Sequence, residues 1–393
     1  MSDYFYSIAG RATSAAAQMV MLLVLTALVS ANDLAILLAV YSLAAIVAAL
    51  GDIGLGTLAA RERSYGIPSK ADNAIRLADR LAVVISLTAS VLLIGLSNVN
   101  GALLSCVPLL VWAPIERATE TRALRLIADG KVVKVAFLAG GRRIIGLGGF
   151  VALCLVIDAK WAFTISLAVS AIVAQILVKT WVPLTSCSSY SSRGLLREAL
   201  PFTFTSISGQ MRNLDVPIIT ALIGGPPAAA YGLGARFASP VMLIFSSLSS
   251  LILVRARKFT APQLNRLVIS LISAGGGVAV SLVVLAPHLT RFASQFVSWI
   301  GVAEMRILAM VTASYIFAGV GIILGSICVA FHLQNELVRV NIATTVVSLA
   351  SVSLLAVTTG SAISSAITST ICYMLQAVIL IGVIKKSARN TDG

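Results

Sequence analysis

Long apolar runs, each about the length of a membrane-spanning helix, recur along the chain with charged breaks between them. A bilayer core of about 30 Å requires about 20 apolar residues in one helix. The pattern predicts twelve spans and leaves no stretch for a soluble domain. The predicted spans are residues 12–30, 34–60, 77–97, 102–116, 138–157, 161–181, 201–223, 228–254, 267–287, 306–330, 340–358 and 362–384.

Composition and charge fit a membrane protein. The chain is 58% hydrophobic and 11% charged, with a mean hydropathy of +0.98, whereas soluble domains are about 45–50% apolar and about 25% charged. When the spans are threaded through a bilayer, 24 of the 29 lysines and arginines fall on one side. Such an excess marks the cytoplasmic loops. We therefore expect cytoplasmic termini, and the net charge of +14 does not indicate a nucleic-acid partner.

A serine-rich break near residues 183–199 separates six predicted spans from six more. We therefore predict two six-helix bundles, residues 1–190 and 191–393. The segment VYSLAAI (40–46) in the first half is echoed by AYGLGAR (230–236) in the second. Because each half has an even number of spans, both halves enter and leave the membrane on the same side. Transporters built from such parallel repeats bind substrate between the halves.

The sequence shows no cluster of the residue types that usually carry out catalysis, such as histidine, cysteine and paired acids. The two histidines, His288 and His332, fall at opposite membrane faces in this topology, and the five cysteines show no metal-binding spacing. The outer loops are short, whereas a membrane-embedded polymerase or transferase would be favoured by a large outer loop with paired acids. We therefore expect no enzyme activity, no catalytic residue and no metal site.

Charged residues inside the predicted spans are the strongest functional candidates, because each costs about 2.5–3.5 kcal/mol on insertion scales. Asp52 is near the inner end of span two, where it can pair with Arg142 or Arg143 of span five or face a cavity as a titratable site. In span seven, Asp215 follows Arg212 by three residues on the same helical face. Both acids are therefore candidates either for ion coupling or for structural ion pairs.

The arginines in this set outnumber the acids, which favours a cationic cavity that holds an anionic substrate. Arginine suits a phosphate group because its planar guanidinium donates paired hydrogen bonds and stays protonated. The alternative is that the charges only lock helices together. The predicted cavity residues are Arg11, Arg142, Arg143, Arg212 and Arg236.

Two segments resemble polysaccharide transporters, the Wzx-type flippases, of the multidrug/oligosaccharidyl-lipid/polysaccharide (MOP) exporter superfamily. The segment LPFTFTSISGQMRNLDVPIITALIGGPPAAAYGLGARFASP (200–240) resembles spans seven and eight of that family, and VYSLAAIVAALGDIGLGTLAARE (40–62) is similar to its span two. The match carries over Asp52, Arg61 and Glu62 in the first half. In the second half it carries over Asp215, Tyr231 and Arg236. The usual glycine-rich turn between spans one and two is replaced here by SANDLA (30–35).

The resemblance implies an all-α, MOP/MATE-like fold with two six-helix bundles around a central cavity. It implies a flippase of the bacterial inner membrane that moves undecaprenyl-pyrophosphate-linked oligosaccharide from the inner to the outer leaflet by alternating access. The expected partners are this substrate, membrane lipids and other polysaccharide-assembly proteins, and the expected cofactor is none beyond possible Na+ or H+ coupling. A multidrug or cation antiporter on the same fold is the alternative, although its cavity would be acidic and aromatic.

Overall fold

The computed structural model describes residues 2–98, 101–184, 190–238, 242, 245, 249, 261–331 and 333–391. Within these ranges the chain forms fourteen α-helices, which confirms the all-α prediction. It divides into two compact units, Met1–Asn213 and Leu214–Gly393. The predicted division of the transporter halves at residue 190 stays a prediction, and residues 185–189 of the predicted break lie outside the described ranges.

The first unit contains eight α-helices and a 3-10 turn, Gly101–Cys106, that leads into the fifth helix. Helix α1 packs along α6, and α5 packs on α2, α4 and α7. Helix α8 packs on α2 and α3, which places it with the first unit. The helices are α1 (Ser2–Leu28), α2 (Ala31–Asp52), α3 (Leu55–Ser64), α4 (Pro68–Ser97), α5 (Val107–Ala128), α6 (Val132–Leu153), α7 (Ala159–Trp181) and α8 (Ser192–Met211).

The predicted continuous span 34–60 is wrong, because the helix stops at Asp52 and a new one starts at Leu55. Ile53 and Gly54 between them have φ angles of +43° and +67°. A left-handed residue ends a helix, and Gly54 is also needed sterically: an added Cβ would lie 2.6 Å from the Cβ of Phe202. The glycine therefore makes both the turn and the close approach of α8.

The predicted fourth span, 102–116, is too short. Helix α5 starts with a proline in its first turn, where the missing N–H costs nothing, and continues to Ala128. The connection to α6 is only residues 129–131. The segment 117–143 is therefore mostly helix, and the charges of α5 lie on an element that is long and apolar enough to span a membrane.

The second unit is organised around one long buried helix, α12. Helices α10, α11 and α14 pack on α12, and α13 packs on α14. An apolar cluster that includes Val320, Ile323 and Leu380 fills the contact between α12 and α14. The helices are α9 (Asp215–Leu222), α10 (Gly225–Phe237), α11 (Ala261–Ala293), α12 (Val302–Ala330), α13 (Gln334–Thr359) and α14 (Ala362–Thr391).

Predicted span seven is broken by a 3-10 turn, Arg212–Leu214. Pro217 explains the position of the break, because it lacks the N–H that would bond to the carbonyl of Asn213 in a continuous helix. It lies instead in the first turn of α9, where that N–H is not needed. Most of predicted span eight beyond Ala238, including residues 250–254, lies outside the described ranges.

Among the residues that the structure describes, ten helical segments are long and apolar enough to cross a membrane. They correspond to ten of the twelve predicted spans, the other two being the broken seventh and the partly described eighth. The chain is a multi-pass membrane protein.

Candidate functional site

Asp52, at the C-terminal end of α2, joins α2, α3 and α5. The side chain is buried, and Arg117 of α5 donates to its Oδ2 from Nη2 at 3.1 Å and from Nε at 3.3 Å. The hydroxyl of Thr121 donates to Oδ1 at 3.1 Å, and the backbone N–H of Gly56 donates to the same oxygen at 3.3 Å. Both carboxylate oxygens therefore have donors, as a buried acid requires.

Arg142 and Arg143, adjacent on α6, both contact Glu116 of α5. Their Nη2 atoms lie 3.2 Å and 2.6 Å from the same Oε1 atom. The Arg143 guanidinium also lies 5.8 Å from the ring centroid of Trp112, a cation–π contact. The predicted pairing of these arginines with Asp52 is wrong. Helix α5 instead places Glu116 against the arginines of α6 and Arg117 against Asp52 of α2.

Glu120, one helical turn beyond Glu116, bridges two arginines. Its Oε2 lies 3.1 Å from Nη1 of Arg117, and its Oε1 lies 3.5 Å from Nη2 of Arg142. Glu120 therefore connects the Asp52–Arg117 pair to the cluster on α6. We call the resulting set of six charges the charge network: Asp52, Glu116, Arg117, Glu120, Arg142 and Arg143.

The charge network contains three acids and three arginines, so it is formally neutral. The expected excess of cations does not hold here, because Glu116, the last residue of the predicted span 102–116, and Glu120, just beyond its end, both pair with the arginines. An unpaired buried charge is strongly destabilising, whereas a paired one is tolerated. The network is therefore both a structural element and a set of three guanidinium groups close together.

A cavity of about 150 Å³ borders the charge network. Alanines of α2 form one wall, and their small side chains leave the space open. A volume of this size holds a phosphate group and a few waters, at about 30 Å³ per water, but not an oligosaccharide. The lining residues are Ala45, Ala48, Ala49, Trp112, Ala113, Glu116, Arg117, Glu120 and Gln210.

A second group of ion pairs joins α3, α4 and α5 to each other. Asp72 is almost fully buried and accepts a hydrogen bond from Arg125. The carbonyl of Val182, just beyond α7, accepts from Arg122 at 3.1 Å. The arginines again balance the acids, which indicates a structural role. The pairs are Arg122–Asp79, Arg125–Asp72 and Arg63–Asp129.

Arg61 and Glu62, the charged pair carried over by the resemblance, connect α3 to α4 and α8. Glu62 is buried and contacts Arg61 at 2.6 Å and Lys70 of α4 at 3.5 Å. Lys70 also contacts Glu198 of α8 at 2.6 Å, and the Arg61 guanidinium lies 5.3 Å from the ring centroid of Phe202. These contacts hold the three helices beside the turn at Gly54.

In the second unit, Asp215 and Tyr231 contact each other directly. The Tyr231 hydroxyl donates to Asp215 Oδ2 at 3.1 Å and lies 3.4 Å from the Ser369 hydroxyl. The backbone N–H of Val216 donates to Asp215 Oδ1 at 2.7 Å. All three side chains are buried, so this cluster joins α9, α10 and α14.

The other predicted cavity arginines lie on different elements. Arg11 is on α1, next to the point where Gly10 approaches the backbone of Ala136 so closely that a Cβ would lie 2.5 Å from its carbonyl oxygen. Arg212 begins the 3-10 turn, and Arg236 is in the last turn of α10. Each is partly buried. Of the five predicted residues, Arg142 and Arg143 lie in the charge network.

Sequence reasoning missed three members of the charge network: Glu116, Arg117 and Glu120. Their signal was present, since Glu116 and Glu120 are four residues apart and therefore share a helical face. The apolar run before them ends at Pro114 and Ile115, which made the charges look like the start of a loop. Among the described residues, no group of His, Cys, Asp and Glu side chains has the arrangement needed to hold a metal ion.

No protein-family model and no curated protein matches the sequence. The solved structures do match over nearly the whole chain. A multidrug resistance MATE family transporter of the MOP superfamily, in an inward-facing conformation, gives a TM-score of 0.66 at 14% identity, covering 98% of this chain and 95% of that chain.

Two further transporter structures match to a similar extent. A mutant of the Vibrio cholerae MATE transporter VcmN gives a TM-score of 0.66 at 14% identity, covering 99% of this chain and 97% of that one. A MOP-superfamily transporter from Pyrococcus furiosus, whose binding pocket is described as having reverse polarity, gives 0.65 at 13% identity, with 99% and 95% covered. These similarities confirm the predicted MOP/MATE-like fold.

Proposed function

We propose that the chain is an alternating-access flippase that moves undecaprenyl-pyrophosphate-linked oligosaccharide from the inner to the outer leaflet of a bacterial inner membrane. The observation that carries the proposal is the meeting of three arginines, Arg117, Arg142 and Arg143, in the charge network, whose Arg117 lines the cavity of the first unit. No bond is made or broken in this process. The resemblance of residues 40–62 and 200–240 to polysaccharide transporters supports the same substrate.

The cavity chemistry suits the charged part of such a substrate. Arg117 lines the cavity, and a guanidinium donates two parallel hydrogen bonds to a phosphate. The cavity volume of about 150 Å³ accommodates the phosphate alone, so the sugars and the lipid tail remain outside it. We further propose that an ion, Na+ or H+, bound at Asp52 or Asp215 biases the cycle.

A second candidate is an antiporter for organic cations. It is favoured by the cavity wall, which carries two carboxylates, Glu116 and Glu120, and one tryptophan, Trp112. Carboxylates and an aromatic face together bind organic cations. Pocket polarity is also the property named for the Pyrococcus furiosus transporter as suggesting a different function. The two candidates therefore predict opposite charge preferences for one cavity.

Transport measurements on the reconstituted full chain separate the two candidates. Proteoliposomes are loaded either with a fluorescent pyrophosphate-linked oligosaccharide lipid or with a fluorescent organic cation. Inner-to-outer transfer of the lipid is measured by enzymatic modification of sugars that reach the outer leaflet. Cation export is measured as dye loss driven by a Na+ or H+ gradient, and empty liposomes are the control.

The flippase proposal expects transfer of the lipid-linked sugar above the empty-liposome rate and no gradient-driven dye loss. Dye export without lipid transfer would overturn it in favour of the antiporter. An oligosaccharide lipid that carries a neutral linkage in place of the pyrophosphate is the matched control for the arginine site. Equal transfer of both lipids would contradict the role given to the arginines.

A further inference from the structure

Glu120 differs from the other acids of the charge network in its exposure. Its side chain is 42% exposed, against 11% for Glu116 and 3% for Asp52. It lines the cavity and lies at the edge of the network. Glu120 is therefore the acid in this set whose carboxylate gives up the least burial when it moves into solvent.

The two oxygens of Glu120 contact two different guanidinium groups. One oxygen is 3.1 Å from Arg117 and the other is 3.5 Å from Arg142. Two non-bridging oxygens of a phosphate can make the same pair of contacts, with more negative charge on the group. The carboxylate therefore occupies the place that an anionic ligand in the cavity would take.

The rest of the network stays paired when Glu120 leaves. Arg117 keeps its contacts with Asp52 at 3.1 and 3.3 Å, and Arg142 keeps its contact with Glu116 at 3.2 Å. The departure changes the local sum from neutral to one positive charge. A bound anion of phosphate type then supplies the negative charge that Glu120 has withdrawn.

We propose that Glu120 is a displaceable internal anion that closes the Arg117–Arg142 pair until a phosphate or pyrophosphate ester replaces it in the cavity. The inference rests on the proposed function and adds a specificity-determining residue to it. A carboxylate carries one charge, so it competes well against weak anions such as chloride and poorly against a pyrophosphate. Built-in competition of this kind improves discrimination more than it improves affinity.

Binding of inorganic pyrophosphate to the full chain in lipid nanodiscs tests the inference. A variant in which Trp161, Trp181 and Trp299 are replaced by Phe leaves Trp112, which lines the cavity, as the sole fluorescent reporter. In this background Glu120→Gln removes the competing charge. Its matched control is Glu336→Gln, because Glu336 also pairs with an arginine three residues away, Arg339, but is on the surface of α13.

We expect Glu120→Gln to bind pyrophosphate about tenfold more tightly than the parent, since a like charge is removed from the site. Arg117→Gln should weaken binding, and Glu336→Gln should leave it unchanged. Equal affinity in the parent and Glu120→Gln would overturn the inference. Failure of Glu120→Gln to fold, seen by size-exclusion chromatography, would also overturn it, because a displaceable anion is not needed for folding.

The same variants separate this inference from the proposed function. If the parent binds pyrophosphate and Glu120→Gln binds it more tightly but neither moves lipid-linked oligosaccharide, the site is confirmed and the substrate assignment fails. If transfer occurs and Glu120→Gln changes neither binding nor transfer, the proposed function stands and the role of Glu120 fails. Each combination of results therefore decides one of the two statements.

Discussion

Ion pairs join neighbouring helices throughout the first unit, whereas close glycine contacts, hydrogen bonds and apolar packing join those in the described part of the second unit. In the first unit, Arg117 and Arg143 reach acids on neighbouring helices at 3.1 and 2.6 Å. In the second unit, Gly234 of α10 lies against the backbone of Leu308. There, Gln376 of α14 donates to Asn341 of α13 at 2.6 Å.

The difference shows where each unit is sensitive. Removing one charge from a balanced buried set leaves its partner uncompensated, so the first unit should respond to neutralisation. Adding one methyl group at a close helix contact forces the two backbones apart. The stability of the second unit should therefore fall when side-chain volume is added at such contacts.

The largest expected effect is the loss of Glu116, because two arginines share its carboxylate. Glu116→Ala should lower the free energy of unfolding by about 3–5 kcal/mol, as for a buried pair that loses one partner. Thermal unfolding in detergent micelles measures it. The double variant Glu116→Leu with Arg143→Leu should recover part of the loss, and a double variant less stable than Glu116→Ala would contradict the pairing.

The second effect concerns volume in the second unit. An added Cβ at Gly234 would lie 2.9 Å from both the Leu308 carbonyl oxygen and the Val311 Cβ. Gly234→Ala should therefore destabilise the fold by about 1–3 kcal/mol. The matched control is Gly277→Ala on α11, which meets open space and should gain stability through helix propensity. Equal melting shifts for the two variants would remove the basis of the comparison.

A smaller effect is expected at the Asp215–Tyr231 contact. Tyr231→Phe removes the hydroxyl that donates to Asp215 at 3.1 Å, while the Val216 N–H still donates to the other oxygen. The cost should be about 1–2 kcal/mol, within the range for a buried acceptor that loses a donor. Thermal unfolding with Tyr190→Phe, an exposed tyrosine, as the control provides the measurement. A shift no larger than the control would show that the contact does not stabilise the second unit.

The smallest effect should come from Glu336→Ala. The pair Arg339–Glu336 is exposed on both sides and its atoms are 3.4 Å apart. Exposed pairs of this kind contribute about 0–0.5 kcal/mol. We expect a melting temperature within error of the parent. A loss as large as that of Glu116→Ala would show that burial does not decide how much an ion pair contributes to stability in this protein.

The sequence was sufficient for the membrane class and for most helix positions, because apolar length is a local property. It was also sufficient to select Asp52 and Asp215 as unusual, since an acid in an apolar run is locally visible. The partner of each charged residue could not be predicted from the sequence in the same way. Whether Arg142 meets Asp52 or Glu116 depends on which face of α5 is turned toward α6, and that is set by packing among four helices.

The errors had local physical causes. The turn at Ile53 and Gly54 was hidden inside an apolar run, because glycines in membrane helices more often permit close packing than end a helix. The length of α5 was underestimated because charges after Pro114 imitate a loop. The signal that the helix continued was the spacing of four residues between Glu116 and Glu120, with Arg117 next to Glu116.

The role of the cavity arginine is tested most directly by the transfer rate of pyrophosphate-linked oligosaccharide by two matched arginine variants in proteoliposomes. Arg117 and Arg339 each pair with a glutamate three residues away, but Arg117 lines the cavity and Arg339 lies on the exposed face of α13. We predict that Arg117→Gln loses transfer by about tenfold or more, as expected for a lost charged contact, and that Arg339→Gln keeps the parental rate. Parental rates for both variants, at equal amounts of folded protein, would contradict it.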